Sequence, residues 1–535
     1  VAARDNTAVT GVAVLALAAP QPPAPLFSDA LETTLLDARR FAQAAGGTPQ
    51  LDAAVRQPVQ FVAQRGDLTL DGLGSTRPLD AAAGRDLRIS DVALQQQPAA
   101  AGQASELTRL RAGRDIRFNS GTGLEIAGPG DLLLLAGRDV DLGQSTGLVS
   151  RGNLSNGTLL PEGGARLTVV AGLGADGADY TRASAAGFQV LGATGLADKL
   201  GRAWVLLGGT TSAATFDAAT PGEQLALLRQ HLGTATVDRL LAEQVRAQPA
   251  RAETADQRTR LAALLGQPAD DPTVTAALKD QASLLEPRWS ALDEAAALRQ
   301  VDKLGSAQQR LLVNHVLMAS LAVLAPADRA SALAQLAATG DIAKLGDYVA
   351  QMGGQRGSDA ADTLRRFDAL PLERQIPWLN RVLVGELRSA GRAAAVLEGD
   401  ERWAAYARGY QAVNLLFPLG AATARPAAQV RLPTSQIKTL QSADITLLNP
   451  GGGVNAGEVT GGRKGPTELG IVTVNGGDVS AVVAQDFDVN QSRVFTLGRG
   501  NLLMWSSAGN IDAGRGAKTV TGAPAPVLRL DAGGN

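Results

Sequence analysis

The sequence predicts a mainly β fold with a large α-helical insertion, namely a right-handed parallel β-helix (a solenoid) that carries a helical bundle domain. A short glycine-containing phrase recurs with strand-like alternation, whereas residues 217–417 hold only 13 of the 61 glycines and show helical apolar spacing. The predicted domains are a poorly defined linker and short helix at 1–60, a first β-helix block at 61–216, the helical insertion at 217–417 and a second β-helix block at 418–535.

The recurring phrase is a glycine turn with Asp or Asn, followed by alternating apolar residues. It first reads Gly66-Asp67-Leu68-Thr69-Leu70 and returns at 84–89, 113–118, 137–142, 477–479, 486–489, 500–504 and 509–511. Alternation with period two places Leu68 and Leu70 on one face of a short strand. Because each strand is too short to be stable alone, we expect successive units to stack as coils. An up-and-down β-sandwich remains the alternative, since periodicity does not distinguish the two.

Four aspartates occupy the same place in consecutive repeats and would form a ladder in the stack, namely Asp67, Asp86, Asp115 and Asp139. At about 4.8 Å in water, each like-charge neighbour costs roughly 0.9 kcal/mol. We therefore expect these turns to face solvent, with compensating charge from the adjacent Arg85, Arg114 and Arg138. A catalytic or metal role is disfavoured for the aspartates, because the same residue type recurs in every unit.

Residues 217–417 have the pattern of amphipathic helices. Thr220-Pro221-Gly222-Glu223 has the residue types of a capping box, with proline at the first helical position. Further helices are predicted over 311–324, 327–338, 372–387 and 401–417. In the last of these, one helical face carries an aromatic and apolar stripe that we interpret as core packing: Trp403, Tyr406, Tyr410, Val413 and Phe417. Before the first repeat we expect a stiff proline-rich linker at 20–25 and a helix over 28–45.

Composition excludes several classes of function. Lys and Arg total 50 against 52 for Asp and Glu, so the net charge of −2 lacks the basic field of a nucleic-acid-binding protein. The chain has no cysteine, which excludes disulfides and thiol chemistry and fits a chain that crosses an oxidising compartment unfolded. No apolar run reaches the ~18 residues that span a bilayer, so no transmembrane segment is predicted. Because residue 1 is Val, we interpret the chain as part of a longer or processed protein.

Few motifs could carry chemistry, and the chain is predicted not to be an enzyme. His231 and His315 lack the spacing of a metal site, and each is interpreted as a residue at the boundary of a buried helix face. Residues 172–177 match a dinucleotide-binding glycine fingerprint without the helix and acidic residue that should follow, so no cofactor and no metal are predicted. Two carboxylates that meet from different coils, as in polysaccharide-acting enzymes, remain possible.

One candidate adhesion site appears in the first repeat. Arg65, Gly66 and Asp67 spell the tripeptide that integrins recognise, and a turn exposed to solvent would present it. Its glycine and aspartate also belong to the recurring phrase. A structural turn with an adjacent arginine is therefore the favoured interpretation.

Several longer phrases are similar to those of a known family. They are the Ala-Gly-Arg-Asp phrases at 112–115 and 136–139 and, more distinctively, segments 435–439, 468–473, 489–497 and 505–519. On these residues the chain resembles filamentous-haemagglutinin-type exoproteins of two-partner secretion systems. The closer resemblance is to a conserved domain on the C-terminal side of one subfamily, in which a helical segment also precedes the final β repeats.

The resemblance implies a location, a function and partners. It implies a non-enzymatic segment of a large exoprotein, secreted or displayed on the surface of a Gram-negative bacterium, that acts in adhesion. The implied partners are a dedicated two-partner transporter in the outer membrane and a receptor or glycan on a host or neighbouring cell. A polysaccharide-acting β-helix enzyme and the stalk of a contact-dependent toxin delivery protein remain the alternatives.

Overall fold

The computed structural model describes residues 2–14, 56–99, 103–152, 163–174, 178–192, 195–248, 262–263, 265–268, 270–274, 289, 292–353, 355–418, 427–457 and 469–514. The strands before the helices are β1 Ala2–Ala3, β2 Thr7–Thr10, β3 Ala13–Val14, β4 Val59–Ala63, β5 Leu68–Ser75, β6 Leu79–Ala83, β7 Leu87–Gln95, β8 Leu107–Ala112, β9 Ile116–Phe118, β10 Leu124–Ala127, β11 Gly130–Ala136, β12 Val140–Asp141, β13 Leu148–Ser150 and β14 Ala165–Val170.

The described helices follow these strands, and further strands follow the helices. The helices are α1 Tyr180–Ala185, α2 Phe188–Leu191, a 3₁₀ turn Ala197–Lys199, α3 Leu200–Leu206, α4 Ala213–Ala218, α5 Pro221–Leu232, α6 Thr234–Arg246, α7 Glu294–Val301, α8 Ser306–Ala322, α9 Pro326–Leu336, α10 Thr339–Gly353, α11 Ala360–Asp368, α12 Leu372–Val396 and α13 Gly399–Leu416. The later strands are β15 Gln429–Arg431, β16 Gln436–Thr439, β17 Ile445–Asn449, β18 Gly453–Asn455, β19 Gly470–Thr473, β20 Val479–Val483, β21 Phe487–Asp488, β22 Val494–Thr496, β23 Leu502–Ser506 and β24 Ile511–Asp512.

Every pairing between these strands is parallel. One sheet runs in the order β1-β4-β6-β8-β11-β14-β17-β20-β23, so each strand pairs with the strand one coil further along the chain. We call it the main sheet. An up-and-down sandwich requires antiparallel neighbours, so that alternative is wrong for the described strands.

The second sheet divides into two columns of strands. Its early strands, β5 and β7, are long and bent, and β7 contains Asp91 with a φ of 50°. Before this bend β7 pairs with β9, through Leu87, and after it β7 pairs with β10, through Val92. From here on successive turns of chain add strands to both columns and to the main sheet.

The interior of the stack is apolar, as the alternation predicted. Leu68 and Leu70 are fully buried, and they pair in register with Leu87 and Ile89 of the next coil. A single cluster of buried residues continues from Val9 to Val489 between the columns. The two-residue period of the repeats is therefore confirmed as the signal of an inner face.

The helical insertion leaves the stack continuous. β12, β13 and β14, which precede the helices, pair directly with β15, β16 and β17, which follow them. The three registers are Val140↔Val430, Leu148↔Ile437 and Leu167↔Ile445. The helices therefore lie between two consecutive coils, in chain order, without interrupting the contact between those coils.

The helices extend further towards the N-terminus than the predicted boundary at residue 217. α1 begins at Tyr180, capped by the Asp179 carboxylate, and short helices continue through the glycine-rich stretch to α4. The short elements between Gly187 and Gly209 lack the repeated apolar spacing that identifies longer helices. The capping box at Thr220 and Glu223 is present, and α5 begins at Pro221 as predicted.

The N-terminal residues also differ from prediction. Instead of a poorly defined segment, residues 2–14 form short strands that pair with β4 and β5. They lack the glycine phrase, so the repeat pattern did not mark them. The predicted linker at 20–25 and the helix over 28–45 lie outside the described residues.

The helical domain packs on the outer face of the main sheet. Its core cluster includes outward-facing sheet residues, namely Leu133, Leu135, Val170, Leu448, Val482 and Trp505. On α13, Tyr410 lies edge-on to Trp505 and donates a 2.7 Å hydrogen bond to the Ser507 carbonyl. Val413 and Phe417 of the same stripe are buried, which confirms the prediction of core packing for them.

Candidate functional site

The Ala-Gly-Arg-Asp repeats form an interlocked ladder on one edge of the stack. Arg114 donates from Nε and Nη2 to both oxygens of Asp86, one coil earlier, at 3.0 and 2.9 Å. Arg138 makes the same two-pronged contact with Asp115, at 3.0 and 2.8 Å. Asp67, Asp86 and Asp115 each also accept a hydrogen bond from the backbone N–H of the next ladder aspartate. One carboxylate thus joins a coil to its successor.

The compensating charge expected from Arg85, Arg114 and Arg138 is confirmed, but three of the four aspartate side chains in these turns do not face solvent. Asp67, Asp86 and Asp115 are buried at 6%, 4% and 0% exposure, and the arginines above them are about half exposed. The Coulomb argument treated the acids as a ladder of like charges in water, whereas each one pairs with an arginine of the next coil. Although burial alone raises the pKa of Asp115, Arg138, the Asp139 N–H and Arg117 together lower it.

The candidate adhesion tripeptide belongs to this ladder. The Asp67 carboxylate accepts hydrogen bonds from Arg85 at 3.0 Å and from Arg88 at 3.1 Å, and the Arg85 guanidinium lowers the pKa of that carboxyl. Gly66 is buried against the backbone of Asn6, and Arg65 is exposed. At this position the recurring phrase joins two coils through Asp67. The adhesive role of Arg65, Gly66 and Asp67 stays a prediction.

A cavity of about 210 Å³ lies between α12 and the outer face of the main sheet. We call it the interdomain cavity. Its floor comes from β11, β14, β17 and β20 together with the residues that precede β17 and β20, and its roof comes from α12. Its main polar lining is Asp131, Arg166, Thr168, Arg381, Arg388, Asp444, Thr446, Asp478 and Ser480.

Most charges in the interdomain cavity are paired. Arg166 binds both oxygens of Asp131 at 2.7 Å, and Arg388 of α12 reaches Asp478 at 3.1 Å across the domain boundary. Burial opposes the charge on Arg166, yet Asp131 outweighs it and raises the pKa of that guanidinium. Arg381 differs, because it makes no ion pair with another described residue. Its guanidinium carbon lies 5.8 and 5.5 Å from the ring centres of Tyr348 and Trp378.

A second cavity, of about 330 Å³, lies where α12 begins beside β8. Arg109 binds both oxygens of Asp80 and also reaches Glu373 of α12 at 3.4 Å. Glu106 is 4% exposed and accepts a 2.6 Å hydrogen bond from the Gln97 N–H. Burial raises the pKa of Glu106 to about 7, and Arg56 at 3.5 Å only partly opposes this effect.

The two histidines have different surroundings. His231 is an exposed residue at the end of α5, with Nε2 3.0 Å from the Leu207 carbonyl oxygen. The prediction that His315 lies at the boundary of a buried helix face is wrong. His315 is buried in the middle of α8, near the Arg182–Glu243 ion pair. Burial lowers the pKa of His315 to about 4, so the ring is neutral at physiological pH. The helical core therefore holds a neutral imidazole.

The described part of the chain contains neither a metal-binding cluster nor a helix that could cross a membrane. No group of His, Asp and Glu side chains there is arranged to hold a metal ion. Among the same residues, no helix combines the length and apolarity that a membrane crossing requires.

The fold defines a class of protein before any comparison: a stack of parallel coils with a helical domain docked on one sheet. The model of one family, described as filamentous haemagglutinin family outer membrane protein, matches residues 499–535. The matched range begins just before β23, in the last described coils. Neither a curated protein nor a solved structure matches the chain. The match links the C-terminal end of the chain to an outer-membrane exoprotein family.

Sequence reasoning missed both cavities, although a signal for the first was present. The segments Arg166-Leu167-Thr168, Asp444-Ile445-Thr446 and Asp478-Val479-Ser480 share a charged residue, an apolar residue and a hydroxyl residue in that order. Parallel pairing places the three hydroxyl residues in one row. The partners of these residues on α12 have no comparable signal, because their position depends on how the helical domain docks.

Proposed function

We propose that this chain is a segment of a large adhesin of filamentous-haemagglutinin type, secreted or displayed on the surface of a Gram-negative bacterium, and that it catalyses no reaction. The observation that supports this most is the uninterrupted stack of parallel coils, together with the family match that begins at its last coils. A stack of this kind holds attached surfaces away from a cell and can present several weak contacts at once. The helical domain would be such an attached surface.

We further propose that the stack winds as a right-handed β-helix. Connections between parallel strands of one sheet are right-handed in almost all proteins, because of the twist of the strands. The proposed export partner is a two-partner transporter in the outer membrane, and the proposed target is a receptor or glycan on a host or neighbouring cell. Stepwise addition of coils outside the cell would favour outward movement of the chain, since each coil buries apolar surface on the previous one.

Labelling of intact cells tests the location. An antibody against the helical domain should label the producing bacterium without permeabilisation, or should detect the protein in the culture medium. Deletion of the outer-membrane transporter should abolish both signals and reduce attachment of the bacterium to cell monolayers. Signal only after permeabilisation would contradict the proposed location, whereas unchanged display without the transporter would contradict only the export route.

A polysaccharide-acting enzyme is the second candidate, and one observation favours it. Glu106, with its pKa raised to about 7, lies in a cavity that also contains the carboxylates of Asp80 and Glu373. Glycosidases use a pair of carboxyl groups, one of which has a raised pKa. Reducing ends released from a polysaccharide panel by the purified chain, and not by Glu106→Gln, would replace our proposal with this one. We expect no release from either protein.

The third candidate, the stalk of a toxin delivery protein, has no observation of its own in the described residues. The full-length reading frame tests it directly. A toxin module encoded after residue 535 would support it, and a gene that ends in further repeats would not.

A further inference from the structure

The floor of the interdomain cavity departs from the apolar pattern around it. One outward row of the main sheet runs through Leu135, Val170, Leu448 and Val482 and is apolar where the helices cover it. A second outward row lies beside it. Its residues are paired in register from strand to strand: Leu133, Thr168, Thr446, Ser480 and Leu503. Three hydroxyls therefore stand in line, with leucines at both ends.

These hydroxyls are not explained by packing. Thr168 and Ser480 are 5% and 3% exposed, and none of the three hydroxyls has a hydrogen bond to another described side chain or carbonyl. The three hydroxyl oxygens are not enclosed by protein atoms and face the cavity, where a ligand can reach them, whereas valine in the same place would offer no hydrogen bond. Strand spacing sets the hydroxyls about 4.8 Å apart. Such a line matches a ligand that carries several hydroxyl groups.

The charges of the cavity leave one cation and one anion for a ligand. Asp131 neutralises Arg166, and Asp478 neutralises Arg388. Arg381 and Asp444 both line the cavity without an ion pair to a described residue. Asp444 accepts a 2.8 Å hydrogen bond from the Asp478 N–H, which orients one carboxylate oxygen and leaves the other for a ligand.

Arg381 is placed to bind a carboxylate. Its side chain is accessible to solvent, and its guanidinium lies near the faces of Tyr348 and Trp378, which limits its rotation. A guanidinium held in this way presents two parallel N–H groups, the geometry that a carboxylate accepts. Tyr348 itself donates to the Arg374 carbonyl at 2.6 Å, so the aromatic support is fixed in turn.

We propose that the interdomain cavity binds a single carboxylate-bearing sugar residue, a hexuronate, with its carboxylate on Arg381 and its ring hydroxyls on Asp444 and on the row Thr168, Thr446 and Ser480. The volume of about 210 Å³ is below the ~300–1,000 Å³ of clefts that hold drug-sized ligands, and it therefore selects one sugar unit. The biological use of the site, capture of an acidic glycan on a target surface, rests on the proposed adhesive function; the binding itself does not.

Titration calorimetry or saturation-transfer NMR on the purified chain tests the assignment, with D-glucuronate as the probe. A ligand of this size should bind with a dissociation constant on the order of 1 mM. D-Glucose, which lacks the carboxylate, should bind at least about tenfold more weakly, because a charge-assisted pair is lost. L-Alanine, which offers a carboxylate and an ammonium group without ring hydroxyls, should also bind more weakly.

Variants locate the binding. Arg381→Gln should weaken glucuronate binding about tenfold or more, and Thr446→Val should weaken it several-fold while keeping the shape of the strand residue. Arg392→Gln, an exposed arginine on the same helix, is the matched control and should bind glucuronate as the wild type does. Circular dichroism and thermal unfolding identify a variant that fails to fold, and Thr446→Val then decides the matter independently of Arg381.

Three results would overturn the assignment. They are no saturable signal with glucuronate up to about 20 mM, roughly twenty times the expected dissociation constant; equal binding of glucose and glucuronate; and tighter binding of L-alanine, which would assign the cavity to an amino acid. A negative result here leaves surface display of the protein unaffected. Failure of the proposed function would appear instead in the labelling of intact cells.

Discussion

The early and the middle coils of the main sheet share an inner face and differ on the outer one. In β4 and β6 the outward residues are polar or partly exposed, as Gln60 and Asp80 show, whereas β11 and β20 carry apolar outward residues that are buried under helices, as Leu135 and Val482 show. The inner residues are small or apolar in both sets. The stack is therefore specified by one face, and the other face determines which coils carry a domain.

This difference is visible in the sequence once the stack is known. Strands buried on both faces read as continuous apolar runs, and Leu132-Leu133-Leu134-Leu135 is such a run. The earlier strand Leu79–Ala83 alternates instead. The docking surface of the helical domain is thus encoded in the change from alternation to continuity.

The largest expected effect tests the difference between covered and uncovered outward residues at one pair of strand partners. Leu135 of β11 lies opposite Arg111 of β8, and only Leu135 is covered by helices. Leu135→Asp should destabilise the protein by about 4 kcal/mol or more, because it buries an unpaired charge. Arg111→Asp changes an exposed position and should stay within about 0.5 kcal/mol. Denaturant unfolding followed by circular dichroism measures both, and equal losses would mean that the two coils are not differently covered.

The second comparison is between Glu106, beside the stack, and His315, in the helical core. Glu106 has its pKa raised to about 7, so the folded state holds the proton more tightly than the unfolded one. The contribution of Glu106 to the free energy of unfolding is complete below about pH 4.3 and is lost as the pH rises through 7. His315 has its pKa lowered to about 4, so its contribution is complete above about pH 6.5 and is lost as the pH falls through 4.

The two effects oppose each other in wild type and should separate in variants. As the pH rises from 4.5 to 8, the free energy of unfolding of Glu106→Gln should increase by about 3 kcal/mol relative to that of wild type. The free energy of unfolding of His315→Gln should decrease by a similar amount relative to wild type. Urea unfolding at the two pH values gives both differences. Parallel pH profiles for wild type and the two variants would show that neither group changes its proton affinity on folding.

The inner face of the stack could be predicted from sequence because each repeat contains its own alternation of apolar and polar residues. Leu68 and Leu70 alternate, and the same phrase recurs in the next coil. The burial of Asp115 could not be predicted in this way, since it depends on Arg138 reaching back from the following coil. Periodicity gives the spacing of the repeats, whereas the direction in which a side chain crosses between coils is a tertiary property.

The candidate site shows the same limit. The hydroxyls of Thr446 and Ser480 recur at one place in their strands, so their row could have been found from the register of the repeats. Arg381 lies in a helix with its own apolar stripe, and nothing in that stripe indicates which sheet residues it faces. Contacts between a domain and the stack that carries it depend on packing, and one sequence contains no local record of them.

Glycine-to-alanine substitutions compare a position in the stack that has no room for a side chain with a helical position that has open space. A side chain on Gly113 would overlap the carbonyl oxygen of Gly84 in the preceding coil, and backbone on both sides cannot move aside cheaply. Gly113→Ala should therefore cost about 1–3 kcal/mol. Gly391→Ala, inside α12 with open space around it, should stabilise by about 0.5–1 kcal/mol. Thermal melts of the two variants should shift in opposite directions, and a shared direction would contradict the close approach of the coils.

The smallest expected effect compares the ladder with an ordinary surface ion pair. Asp115 accepts hydrogen bonds from Arg138 and Arg117 while fully buried, so Asp115→Asn should cost about 1–2 kcal/mol through weakened charge-assisted bonds. Asp341, 3.6 Å from Lys344 on an exposed helix face, is the matched control, and Asp341→Asn should cost less than about 0.5 kcal/mol. High salt should weaken the Asp341 pair and leave the Asp115 contribution largely intact, because buried pairs are screened less. Equal salt dependence of the two variants would mean that the ladder is held by solvated charges, and the repeated arginine would then need another explanation.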